Sequence, residues 1–143
     1  MTVIFSKKCE LALQAVLFLS TKDKSEAFNS GAISEQLKIP KEFVSKVLQQ
    51  LTKVGIVGSK KGNSGGFYLK KDPADIRLIH IVEAIDGMEV FNKCVLGFPN
   101  CSGENPCPVH YQWGKLRDEA FAMLSTETLA ELRDQTIRKI EKL

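Results

Sequence analysis

Histidine is scarce in this sequence, two residues in 143, and neither a phosphate-binding glycine loop nor a recognisable pair of catalytic carboxylates accompanies it. Most acid–base schemes lack their usual side chains here, so an enzyme is not expected. Long apolar runs are missing too. The longest, Leu11–Leu19, is nine residues and contains Gln14, well short of the roughly 20 that a membrane-spanning helix needs, and no membrane partner is expected. The opening MTVIFSKKCELAL has no short basic region leading into an apolar run with a small-residue cleavage site. A cytoplasmic location is therefore expected. Glycine and proline together fill only fifteen positions, which argues against a low-complexity or disordered chain.

What is present suits one domain, or a small domain with an appended helical element: 43% hydrophobic and 26% charged residues can bury a core and stay in solution. The charge is unevenly placed. Between Pro40 and Lys71 seven lysines face one acid, Glu42, so this segment carries about +6 of a whole-chain +3 and leaves about −3 elsewhere. A concentrated basic segment suits a polyanion such as DNA as well as it suits a solvated face.

Helical periodicity predicts a buried helix over about Lys7–Thr21, then a loop over Lys22–Asn29, with Ser30 as cap of a short helix Ala32–Leu37. Ile39-Pro40 interrupts it, and Pro40 opens a third helix. There Phe43, Val44, Val47, Leu48, Leu51 and Val54 form an apolar stripe, Glu42, Ser45, Lys46, Gln49 and Lys53 take the other face, and Gly55 sits where a left-handed cap belongs. A short helix, a tight turn and a longer helix with a polar, cationic face make a helix-turn-helix. An ordinary amphipathic hairpin has the same pattern. The next segment tips the balance: two strand-like runs, Ile56–Lys61 and Gly66–Lys71, flank Gly62-Asn63-Ser64-Gly65, a turn sequence favouring positive backbone angles. A basic hairpin after a recognition helix is a wing. Glu42, Ser45, Lys46 and Gln49 are the candidate contacts of the helix with double-stranded DNA, and Lys60, Lys61 and Asn63 those of the wing.

Leu78–Ile85 reads as a further helix stopped by Asp86-Gly87, with His80 a packed or surface residue rather than a ligand, since no cysteine or acid flanks it at ligand spacing. Tyr111–Leu124 is the next helical stretch, with Trp113, Leu116, Ala120, Phe121 and Leu124 on one stripe, and Thr126–Leu143 is a more charged helix. A stripe turned away from a compact head needs cover, and a second copy of the chain is the economical source. The expected class is mainly α, a winged helix-turn-helix with a two-stranded wing and a long C-terminal dimerisation helix. Residues 1–90 form the head, 91–110 a cysteine-rich loop, and 111–143 the dimerisation and C-terminal helices.

The loop 94–110 reads CVLGFPNCSGENPCPVH. Four cysteines in a reducing compartment favour metal or redox chemistry over disulfides. Cys94, Cys101, Cys107 and His110 fall within seventeen residues rich in turns, which lets thiolates point inward together. The spacing is looser than the paired CxxC of zinc ribbons and leans towards a larger iron–sulfur cluster.

The helix-turn-helix AISEQLKIPKEFVSKVLQQLTKVGIV, the wing SKKGNSGGFYL, the segment LIHIVEAIDG and the three-cysteine loop together resemble the BadM/Rrf-two family of bacterial transcription regulators, over about Phe5–Leu132. The resemblance implies a homodimer of winged heads crossed by a long helix, bound to an inverted repeat. It also implies that members keeping three cysteines sense iron–sulfur, nitric-oxide or redox status through a cluster, 2Fe-2S rather than 4Fe-4S. For the fourth ligand it offers two precedents. His110 matches the histidine of the biogenesis regulators, while Glu10 matches the acid that the partner subunit supplies in the nitric-oxide and redox sensors. Cys9 beside it departs from the family pattern and competes for the role. A regulator working through thiol chemistry or zinc, and a small electron-transfer iron–sulfur protein, are the rival readings.

Overall fold

The computed structural model describes residues 4–143. Helix α1 (Lys7–Ser20) starts where the Ser6 hydroxyl accepts the backbone N–H of Cys9 at 3.0 Å, and its nearly continuous apolar surface becomes the centre of the core. Leu11, Ala12, Ala15, Val16, Phe18 and Leu19 are buried. Helix α2 (Ser30–Leu37) is capped by Asn29, whose side chain accepts from the N–H of Ala32 at 2.8 Å, rather than by Ser30. The reason lies one residue earlier: Phe28 exchanges backbone hydrogen bonds with Phe67 at 2.8 and 2.9 Å, and this holds the chain extended up to Asn29. Ser30 is the first helical residue instead.

Lys38, at φ 59°, ends α2. After the extended Pro40, α3 runs over Lys41–Lys53. Val44, Val47, Leu48 and Leu51 are buried as the periodicity predicts, but Phe43 and Val54 remain 40% and 55% exposed. Phe43 lies at the margin of the stripe. Val54 lies past the last turn, where Gly55 at φ +80° redirects the chain.

Strands β1 (Val57–Lys60) and β2 (Gly66–Leu69) pair antiparallel, Val57 opposite Leu69 and Lys60 opposite Gly66. Gly66 is required on two grounds: its φ is +144°, and a Cβ there would collide with the backbone of Phe28. The wing is thereby fastened to the segment that enters α2.

Helix α4 (Leu78–Ile85) opens with the Nδ1 of His80 accepting the backbone N–H of Arg77 at 3.0 Å, a capping role within the packed class expected for it. Helix α5 covers His110–Thr126. The predicted helix Thr126–Leu143 is shorter, α6 spanning Arg133–Glu141. Residues 127–132 bridge back to the segment before α4, with Arg77 paired to Thr128 and the Leu129 N–H donating to the Ile76 carbonyl at 2.8 Å. Burying Leu129 completely outweighs continuing the helix, because the extended pairing also satisfies backbone groups. Leu124 and Leu129 thus join the core of the head. The stripe of α5 is divided. Leu124 is buried and Phe121 meets Phe91 edge to face at 5.4 Å, while Leu116, like Tyr111 and Met123 beside it, is largely exposed. The architecture is a mainly helical winged helix-turn-helix.

Candidate metal centre and nucleic-acid interface

Helices α2 and α3 pack as the two arms of the helix-turn-helix, leaving Glu42, Lys46 and Gln49 exposed on α3. Ser45 is placed differently: it is half-buried and its hydroxyl donates to that of Ser30 at 2.7 Å, so it ties α3 to the first turn of α2. On the wing, Lys61 and Asn63 project at the turn. The Lys60 ammonium instead donates to the carbonyl of Ser25 at 3.2 Å and lies 5.1 Å from the centroid of the Tyr68 ring. One cation of the wing braces the preceding loop, and the other is free of such contacts among the described residues.

The cysteine loop converges. The Sγ atoms of Cys94, Cys101 and Cys107 all lie within 4.8 Å of one another, half-buried and free of disulfides. Cys94 and Cys107 are 3.3 Å apart, and Cys101 Sγ lies 3.2 Å from Nδ1 of His110. Those contacts arise from local structure. The loop turns at Asn100 and Gly97, both at positive φ, and the indole N–H of Trp113 on α5 donates to the Lys93 carbonyl at 2.9 Å, which pins the loop's start against the helix carrying His110. Burial raises the Cys94 thiol, but hydrogen bonds from Cys107 and from the backbone at Leu96 and Phe98 outweigh it and bring the pKa down to about 7. Cys107, desolvated and bonded to Cys94, is pushed up.

The donor set fits a thiophilic centre: three sulfurs lie this close without a bond between them, and the His110 imidazole stands beside one of them, Cys101. Thiolates on a single tetrahedral ion with metal–sulfur bonds of about 2.3 Å stand roughly 3.8 Å apart, close to what is seen. A two-iron cluster needs a wider arc, and residues 95–100 between the first two cysteines are exposed. Neither Cys9 nor Glu10 joins the three sulfurs among the described residues. Cys9 is fully buried, its pKa pushed up to about 12 by burial and the neighbouring Asp86, and Glu10 is ion-paired to Lys7 at 3.5 Å. Sequence reasoning passed over Trp113 as a clasp for the loop; an indole three residues beyond His110 was its signal.

A helix-turn-helix continued by a lysine-bearing wing defines a DNA-binding transcription regulator, here with a cysteine centre at the root of its last long helix. The chain belongs to the Rrf2 family, described as iron-dependent transcriptional regulators, which it matches over residues 5–135. It is 33% identical over 132 residues to an HTH-type transcriptional regulator of Aquifex aeolicus, covering 91% of each chain. It is 29% identical to the HTH-type transcriptional regulator IscR of Cronobacter sakazakii, covering 89% of this chain and 78% of that one. Among solved structures, CymR, the global cysteine regulator of B. subtilis, superposes with a TM-score of 0.76 at 19% identity, over 94% of this chain and 98% of that one. IscR of T. potens gives 0.70 at 22%, over 91% and 85%. Among the described residues no helix is long and apolar enough to cross a membrane.

Proposed function

We propose that this regulator binds an inverted repeat in double-stranded DNA as a cytoplasmic homodimer and senses iron–sulfur, redox or nitric-oxide status at the cysteine loop. The observation that carries the reading is the convergence of Cys94, Cys101 and Cys107, with His110 of the first turn of α5 beside Cys101; the exposed Leu116 and Met123 of the same helix offer the dimer contact. These four residues would hold a 2Fe-2S cluster, which when bound supplies reversible one-electron chemistry and reactivity towards nitric oxide. Ligation by both the loop and His110 would fix residues 94–107 against α5. The partner helix would feel that change through the same α5, and the spacing of the two α3 helices with it. Regulation then requires that the loaded and empty loops favour different poses. Residues 1–90 act as the reading head, 91–110 as sensor and 111–143 as coupler. Glu10 of the partner subunit is the alternative fourth ligand.

Compactness of the three sulfurs favours a second reading, a single zinc ion or direct thiol oxidation at the same residues. An electron-transfer protein leaves the basic wing and α3 without a purpose. The test is a footprint of wild type and Cys101→Ala, prepared without oxygen and loaded with ferrous iron and sulfide. Protection of two half-sites one helical turn or a multiple apart, changed by Cys101→Ala, is expected. A single protected half-site with a monomer in solution, or a footprint indifferent to Cys101, contradicts the proposal.

A further inference from the structure

The metal centre has a cation built into its wall. Arg117 lines a small cavity of about 20 Å³ together with Cys94, Cys101, Cys107 and His110; Lys93 lines it too, but its ammonium is ion-paired to Glu89 at 3.0 Å. Arg117 lies two turns beyond His110 on the same stripe of α5, and a long helical side chain leans back towards the N-terminus. Gly114 lies in its path and has no side chain to stop it. The guanidinium Nη2 comes within 3.7 Å of the point where a Cβ of Gly114 would stand. Arg117 is half-buried, and among the described residues no carboxylate lies within 4.0 Å of it. Its helix neighbours at three and four residues, Trp113, Gly114, Ala120 and Phe121, offer no acid either. A half-buried guanidinium with no carboxylate within 4.0 Å among the described residues thus shares a cavity with three sulfurs.

We infer that Arg117 is the counter-charge of the metal centre and sets its reduction potential, a role that rests on the site holding an iron–sulfur cluster. Three thiolates and a neutral imidazole bring −3, and a 2Fe-2S core in its oxidised form brings +2, so the occupied site carries −1 and, after one electron enters with no proton, −2. A fixed positive charge favours the more negative state and raises the potential.

The test compares wild type, Arg117→Gln, Arg117→Lys and Lys115→Gln, each loaded anaerobically with ferrous iron and sulfide and titrated at an electrode with optical detection. Arg117→Gln should hold as much iron and sulfide as wild type yet be about tenfold less reduced at a given potential, a downward shift of about 59 mV for one electron. Arg117→Lys should recover most of that shift, and Lys115→Gln, which removes an exposed cation outside the cavity, should leave the potential in place. Equal potentials in wild type and Arg117→Gln overturn the inference while leaving the cluster intact. If Arg117→Gln fails to load, Arg117→Lys must both load and keep the wild-type potential; loss in both makes the residue a structural prop and overturns the inference. Failure of every chain, wild type included, to take up iron with sulfide overturns the cluster reading and this inference with it.

Discussion

In the proposed mode of DNA binding, Gln49 and Lys61 would divide the work between them. Gln49 is exposed on α3 and its amide can both donate and accept, the pairing that reads a base edge. Lys61, free at the wing turn, offers only charge, suited to phosphate. Gln49→Ala should change sequence preference, whereas Lys61→Ala should weaken binding to all sequences alike and reduce the salt slope by about one; binding isotherms on operator and scrambled DNA at several salt concentrations read both. A change of preference from the lysine substitution and none from the glutamine would reverse the assignment. The exposure of both residues was legible from periodicity and turn composition. The Ser45–Ser30 and Lys60–Ser25 hydrogen bonds were not, because each joins residues fifteen or more apart that only packing brings together. The cysteines split the same way: three sit in a loop that advertises its chemistry, while Cys9 is a buried thiol whose neighbour Asp86 comes from the far end of α4.

At the scale of elements, α4 depends on His80 as an acceptor. Burial, reinforced by Lys71 and Arg77, holds its pKa below the ordinary 6.5, and only the neutral ring can accept the Arg77 N–H. The folded state then binds this proton less readily than the unfolded chain. Its contribution to stability is complete above about pH 6.5 and declines as pH falls from there towards the lowered folded value, levelling off below it. Urea unfolding between pH 8 and 5 should show this slope in wild type. His80→Gln, which keeps an acceptor that does not titrate, should flatten it, and His80→Ala should cost about 1 kcal/mol at neutral pH; an unchanged slope in His80→Gln would assign it to other groups. Element order, the wing and the ends of α1, α3 and α4 come from local patterns with caps and breakers. The C-terminal region does not. The sequence after Thr126 has ordinary helical composition, and it is the distant Ile76-Arg77 backbone that draws residues 128–129 out of the helix.

For the whole molecule, the helix-turn-helix and wing lie at α2, α3 and β1–β2 and the sulfurs just before α5, so the sensing proposed above would require a mechanical link. Links of this kind are present among the described residues. Leu124 and Leu129 bury the end of α5 and the turn after it in the head's core, and Ser6 at the start of α1 donates from its backbone N–H to Asp86 at 2.8 Å, at the end of α4. The exposed Leu116 and Met123 leave room for a further link, a second copy of the chain, which no single-chain pattern can display. All of this turns on what the three sulfurs hold. The most direct measurement is the visible absorption spectrum of the chain purified without oxygen, with iron and acid-labile sulfide determined on the same sample. Brown protein with thiolate-to-iron bands and matching iron and sulfide, lost in Cys94→Ala, Cys101→Ala and Cys107→Ala and altered but retained in His110→Ala, is the predicted result; colourless wild-type protein carrying zinc, or a normal cluster in all three cysteine variants, would contradict it.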